Sequence, residues 1–249
     1  MILGINGIIA GRGESIVTSG LIMNLDAGIS SSYNGSGTTW TDISGNNNNG
    51  TLLNGVAYSS TYGGGLVFDG INDYVSTNDT SFRFGNQFTL NIWFYWDGVN
   101  NSNTHNLIGK RLDVTYNYNS YSLAIISGRV LRFFARRDGA NQSGADDVIL
   151  TYTLPSTAGV INACVTMDTN LQKLYVNNVN VNSLAKDIST YTYNIPNRKM
   201  LIGATNDDAG TGFIVPFNNN IYKVTAYNRT LTGLEVTTNF NATKTRFGL

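Results

Sequence analysis

The chain has 249 residues with sixteen acidic and sixteen basic side chains and a single histidine, so its formal net charge is zero at pH 7. No broad field draws it toward nucleic acid or a membrane surface, and the lone Cys164 excludes an internal disulfide. Hydrophobic residues make up 41% but charged residues only 13%, which leaves amides and hydroxyls to solvate the surface and makes polyanion binding a poor fit.

The first residues, MILGINGIIAGRGES, are apolar but lack the basic n-region and sustained apolar core of a signal peptide. We read residues 1–20 as an arm whose Ile2, Leu3, Ile5, Ile8 and Ile9 dock on a partner subunit. A disordered tail is seldom so rich in Ile and Leu. No internal repeat or change of composition divides the rest, so residues 21–249 form one domain.

In GGLVFDGINDYVST (64–77) two apolar runs flank Asp69-Gly70-Ile71-Asn72-Asp73. Asp and Asn bond nearby amides and Gly supplies unusual dihedrals, so the segment reads as a turn between strands. As a calcium loop it would offer three oxygen-bearing side chains where the ion takes about six to eight oxygens. Asp42 with Asn46, or Asp207 with Asp208, would have to complete the set. No metal is assigned, and calcium is the alternative at this loop.

Residues 88–96 alternate cleanly: Phe88, Leu90, Ile92, Phe94 and Trp96 make a core row, while Trp93 and Tyr95 fall on the opposite face. Flat aromatic rings there are candidates to pack on the C–H face of a sugar. A hairpin runs from Tyr121 to Arg137 with a two-residue turn at Ser127-Gly128. It places Leu131, Phe133 and Ala135 on one side and Arg132, Phe134 and Arg136 on the other. Arg132 and Arg136 form a basic stripe suited to the carboxylates of an acidic partner or glycan.

Residues 161–167 alternate again, and KLYVN leads into an Asn177-Asn178 turn. Near the end NIYKVTAYN (220–228) is another alternating strand. Thr232 and Glu235 have the spacing of a helix capping box, with Leu231 and Leu234 as apolar anchors for one short helical turn.

Taken in order, LIMNLDAG, SYNGSGTTWTDISGNNNNGTL, GGLVFDGINDYVS, QFTLNIWFYW, KLYVNN and IYKVTAYNRTLTGLEV resemble the laminin-G-like branch of the concanavalin A-like lectin/glucanase superfamily. The resemblance runs from Gly20 to Phe240 and implies an all-β fold, a jelly-roll sandwich of two antiparallel sheets with an extended N-terminal arm and one short C-terminal helix. The family often carries an aromatic residue where Ile161 and Asn162 stand and a Gly where this chain has Asn178. LGINGIIAGR and NFNATKTRFGL are similar to segments of tailed-bacteriophage structural proteins. That likeness implies a non-enzymatic virion protein assembled in the bacterial cytoplasm. Its expected role is an exterior capsid decoration or head fibre, held to capsid or other virion proteins by the arm and forming a homo-oligomer. The alternative is a carbohydrate-binding adhesin of a phage tail or bacterial surface protein.

Enzymatic readings find little purchase. The superfamily's glucanases carry a Glu-x-Asp-x-x-Glu strand, and this chain has only Glu14 and Glu235. A retaining glycosidase needs two carboxyls across a cleft. The lone His105 lies in an Asn-rich stretch and reads as a solvated loop residue without a nucleophile motif.

Overall fold

The computed structural model describes residues 15–78, 80–100, 102–112, 119–137, 144–194, 197–206 and 213–249. The strands in the first part of the chain are β1 (Leu21–Asp26), β2 (Thr39–Trp40), β3 (Gly50–Leu53), β4 (Ala57–Ser59), β5 (Gly65–Asp69) and β6 (Tyr74–Ser76). The middle supplies β7 (Phe88–Trp96), β8 (His105–Leu112), β9 (Asn119–Ile126), β10 (Val130–Arg136), β11 (Asp147–Thr153) and β12 (Gly159–Met167). The last third adds β13 (Leu171–Val176), β14 (Val179–Ala185), β15 (Leu201–Ile202), β16 (Thr205–Asn206), β17 (Phe213–Ile214) and β18 (Asn218–Tyr227). One α-helix, α1 (Gly233–Lys244), follows.

Two antiparallel sheets stack face to face. The first has the order β14-β13-β12-β7-β18-β5-β4, with β1 also on β18. The second has the order β11-β10-β9-β8-β15-β6-β3-β2. Strands distant in the chain become neighbours, as β7 with β18 and β8 with β15, which is the jelly-roll arrangement. The core between the sheets takes one row from each strand: Phe88, Leu90, Ile92 and Phe94 from β7 meet Leu123, Leu131, Phe133 and Leu150 from the facing sheet. That is the period-two alternation expected of a strand with one buried face.

The turns follow their chemistry with one difference. Asn177 and Asn178 both sit at positive φ (46° and 67°) and join Val176 to Val179 in a two-residue hairpin. The β9–β10 connection is three residues rather than two: Ile126 pairs with Val130, and Arg129 joins Gly128 at positive φ. A second difference is larger. The expected single helical turn is a helix of 12 residues, Gly233–Lys244. The capping box is present as read, the Thr232 side chain accepting from the Glu235 amide while the Glu235 carboxylate accepts from the Thr232 amide. Of the two apolar anchors only Leu231 is buried, and Leu234 is exposed.

The chain from Val17 to Gly20 already belongs to the sandwich. The Val17 amide donates to Asn239 Oδ1 (2.8 Å), and the Val17 carbonyl accepts from the Tyr227 hydroxyl (3.0 Å). Ser19 O accepts from Arg229 Nε (2.9 Å). The arm residues Ile2, Leu3, Ile5, Ile8 and Ile9 lie outside the described residues. Among the described residues no helix is long and apolar enough to cross a membrane.

Candidate functional site

The outer face of the first sheet is closed by the C-terminal segment. Trp93 projects from β7 onto that face and is only 1% exposed. Its indole stacks on Phe240 of α1 (5.3 Å, 16° between planes) and on Phe247 (4.8 Å, 20°). This corrects the expectation of a sugar platform at Trp93, because the face it occupies is used for packing. Tyr95, half-buried, leans on the same cluster of Trp93, Val160, Tyr222, Phe240 and Phe247.

Charge seals the segment as well. Arg246 reaches under the helix end to Asp26 Oδ1 (2.5 Å), to the Tyr62 carbonyl (2.6 Å) and to the Gly64 carbonyl. The other Asp26 oxygen is 3.4 Å from Lys223 Nζ, which is also 3.3 Å from Thr243 Oγ1. Burial pulls the Lys223 ammonium below its ordinary range, while Asp26 opposes that shift. Buried charges of this kind persist only when paired.

The second sheet differs. Along its outer face a row of cross-strand neighbours runs Leu201, Gly109, Ser122, Phe134, Ile149 over β15, β8, β9, β10 and β11. The start of this row is covered by β16: a Cβ on Gly109 would lie 2.6 Å from Thr205 Oγ1, so only glycine admits the approach. The far end is open, with Phe134 partly exposed and Ile149 47% exposed. The Arg132 and Arg136 guanidinium carbons lie 6.0 and 5.4 Å from the centre of the Phe134 ring, within the range of cation–π attraction.

The two arginines on this face do different things. Arg136 is buried and makes a two-pronged pair with Asp147 across the β10–β11 ladder, Nη2 to Oδ2 at 2.6 Å and Nε to Oδ1. The expectation of a contact residue at Arg136 is therefore corrected: its guanidinium fork already holds a carboxylate. Arg132, between Ala124 and Thr151 on the neighbouring strands, has no such partner, and its Nε finds no acceptor among the described residues. Desolvation lowers its pKa. A guanidinium without a carboxylate partner among the described residues, beside a partly exposed ring and an exposed aliphatic side chain, makes Arg132, Phe134 and Ile149 a surface able to take a ligand with both an apolar face and oxygen acceptors. Phe134 and Ile149 were not singled out in the sequence, although Phe134's place between two arginines at alternate positions is the signal that finds it.

The acidic loops are structural. Asp69 Oδ1 accepts from the amides of Ile71 (2.8 Å) and Asn72 (3.1 Å), and these bonds hold its carboxyl below the usual range. Asp73 Oδ2 accepts from the Asp69 amide, and burial raises the Asp73 carboxyl. The turn reading holds. Asp42 accepts from the amides of Asn24, Ser44 and Asn48 and from the Ser44 hydroxyl, all within 2.9 Å. Its oxygens tie the 42–49 loop to β1 instead of facing a cation. Among the described residues no group of three or more His, Cys, Asp or Glu could hold a metal ion. Asp207 and Asp208 lie outside the described residues.

His105 is not a solvated loop residue. It opens β8, is half-buried, and places Nδ1 2.9 Å from the Pro216 carbonyl. Glu235 is engaged by the helix cap and by Arg229 (2.6 Å).

Two stacked antiparallel sheets, with a helix closing one outer face and Phe134 and Ile149 partly exposed on the other, define a lectin-like β-sandwich. A laminin-G family model, described as the concanavalin A-like lectin/glucanases superfamily, matches residues 69–237, and the chain belongs to that family. Among solved structures it is similar to the botulinum neurotoxin serotype D binding domain, at 12% identity and a TM-score of 0.64, covering 92% of this chain and 52% of that one. It is similar to domain 4 of AbnA, an extracellular arabinanase of Geobacillus stearothermophilus, in complex with arabinotriose (16% identity, TM-score 0.61, covering 89% and 98%). A third likeness is to Trypanosoma rangeli sialidase in complex with sialic acid (17% identity, TM-score 0.61, covering 97% and 36%). The chain spans about half the length of the toxin binding domains it matches. At these identities the likeness concerns the fold. A search of curated protein sequences found no match.

Proposed function

We propose that the chain is a non-catalytic carbohydrate-binding module whose contact surface is the outer face of the second sheet at Arg132, Phe134 and Ile149. The observation that carries this reading is the asymmetry of the sandwich: Trp93 is packed beneath α1, whereas Phe134 remains partly exposed beside the Arg132 guanidinium, which pairs with no carboxylate among the described residues. Sugar rings present an apolar C–H face and a rim of oxygens, which matches a ring plus Arg donors. The AbnA domain, whose length this chain nearly spans, was solved with arabinotriose bound, and that supports the sugar class without naming the sugar. Glu235, one of only two Glu, is committed to the helix cap and Arg229, which supports a binding rather than a cleaving role. The test is a glycan array on the intact chain with and without EDTA, repeated with Phe134→Ala and Arg132→Ala. Saturable, EDTA-insensitive binding that both variants lose supports the proposal, and binding that both variants retain refutes it.

A second reading concerns attachment, and the apolar, glycine-rich sequence of residues 1–14 favours it. In this reading the module is an exterior component of a bacteriophage particle, a capsid decoration or head fibre, or a tail adhesin. The leader anchors it to capsid or other virion proteins in a symmetric homo-oligomer. Because Val17 and Ser19 bond to the sandwich, removal of residues 2–14 leaves the fold intact while testing the anchor. Loss of particle incorporation with retained thermal stability supports the reading, and unchanged incorporation refutes it.

A further inference from the structure

We propose a second binding site, on the opposite side of the sandwich from Phe134, that takes a single carboxylate carried on a small, ring-sized molecule. It lies where the N-terminus of α1 meets the outer face of β12 and β13, in a cavity of about 260 Å³ lined by Thr166, Asp168, Leu171, Lys173, Tyr175 and residues 230–233. Ladder register builds it: Thr166 pairs with Lys173 and Cys164 with Tyr175, so Lys173 and Tyr175 stand side by side on the outer face. The segment leading to the helix is pinned alongside by the Thr230 hydroxyl, which donates to the Met167 carbonyl, and by burial of Leu231.

Three donors line this cavity. Tyr175 is only 7% exposed, yet its hydroxyl has no hydrogen-bond partner among the described residues and lies 3.7 Å from where a Gly233 Cβ would stand. Gly233 is the first residue of the helix, and its amide has no acceptor among the described residues, whereas the Glu235 amide is capped by Thr232. An uncapped first-turn amide at the positive end of the helix dipole favours an anion. Lys173 adds a full charge and pairs with no carboxylate among the described residues. The Tyr175 ring is buried while its hydroxyl opens onto the cavity, where it can donate to a ligand oxygen.

The remaining lining limits what enters. Asp168, held by the Asn170 amide (3.2 Å) and the Gln87 side chain (3.4 Å), keeps one negative charge at the edge of the cavity. A doubly charged phosphate or sulfate meets that repulsion together with the attraction of Lys173, whereas a monocarboxylate meets less of it. Leu171, 38% exposed, and Leu231 give an apolar wall for the body of the ligand.

The experiment is a titration of the ¹⁵N-labelled full chain with acetate, glucuronate, glucose and phosphate as separate probes, following the Gly233, Lys173 and Tyr175 amides. Saturable shifts at these amides with acetate and glucuronate, tighter for glucuronate and absent with glucose and phosphate, are expected. Lys173→Met should weaken the carboxylates by about tenfold or more and Tyr175→Phe by about fivefold, the losses expected for a charged and a neutral hydrogen bond. Phe134→Ala, on the other face, should leave them unchanged, so failure here is distinct from failure of the glycan surface. Equal shifts with glucose, no saturable shift with either carboxylate, or undiminished binding in Lys173→Met overturns the proposal. The wild-type ligand panel decides the matter even where a variant fails to fold.

Discussion

The two outer faces of this sandwich begin alike and end differently. Each carries an aromatic residue on a strand paired on both sides, Trp93 on β7 and Phe134 on β10. Trp93 is stacked under Phe240 and Phe247, while Phe134 lies partly open between two guanidinium groups. The difference comes from what the chain does afterwards. Beyond β18 it returns across the first sheet as α1, and the Asp26, Lys223 and Arg246 charges fasten its end. Among the described residues no helix crosses the second sheet. An aromatic in an outward row is therefore buried or left partly exposed according to whether a later segment lies over it.

The strongest way to break this comparison is Trp93→Ala. Removing an indole packed between a sheet and a helix should cost about 4 kcal/mol, seen as a lower urea midpoint with little change in slope. Cys164 reports the same face: burial pushes its thiol up from 9.0 to about 12. The native protein should react with thiol reagents only slowly, and Trp93→Ala should speed that reaction.

Arg246→Ala comes next. It strips Asp26 of its closest cation and frees two carbonyls, so a loss of about 3 kcal/mol is expected, in line with breaking a buried pair. Glycan binding at Phe134 should be unaffected.

Glu235 sharpens the comparison through pH. Arg229 first, then the Thr232 amide and hydroxyl, hold its carboxyl at about 2 against an ordinary 4.5. A carboxyl depressed in the folded state stabilises it fully above 4.5, and that contribution is lost as pH falls from 4.5 through 2. Glu235→Gln should lower stability by about 1 kcal/mol at neutral pH and flatten the acid limb of the stability curve over that interval.

The smallest stability effect belongs to Phe134→Ala, about 1 kcal/mol or less for a partly exposed ring, although it should abolish glycan binding. A loss comparable to that of Trp93→Ala would show that the second face is also core.

Much of the fold was legible because strands write their buried row at every second residue. Residues 88–96 gave both extent and inward face, residues 161–167 gave the inward face and the end of a strand that begins at Gly159, and Thr232 with Glu235 marked the helix start to the residue. The helix's length was not legible. GLEVTTNFNATK buries Val236, Asn239, Phe240 and Thr243, a helical spacing in which half the positions are polar, so the apolar signal is weak. At the site, alternation placed Arg132, Phe134 and Arg136 on one side of β10, but their separate fates turned on Asp147, eleven residues beyond Arg136 in the chain.

The sandwich came from the resemblance to a known family, while the sequence by itself determined the predominance of strands, the inward row of the clearest ones, the Asp69–Asp73 turn and the helix cap. All of these depend on local periodicity, or on side chains bonding to amides a few residues away. Only the tertiary structure decided which outer face is closed, which arginine is already paired and where Tyr175 meets Gly233. Those outcomes depend on segments far apart in the chain coming to lie against one another, which no local pattern encodes.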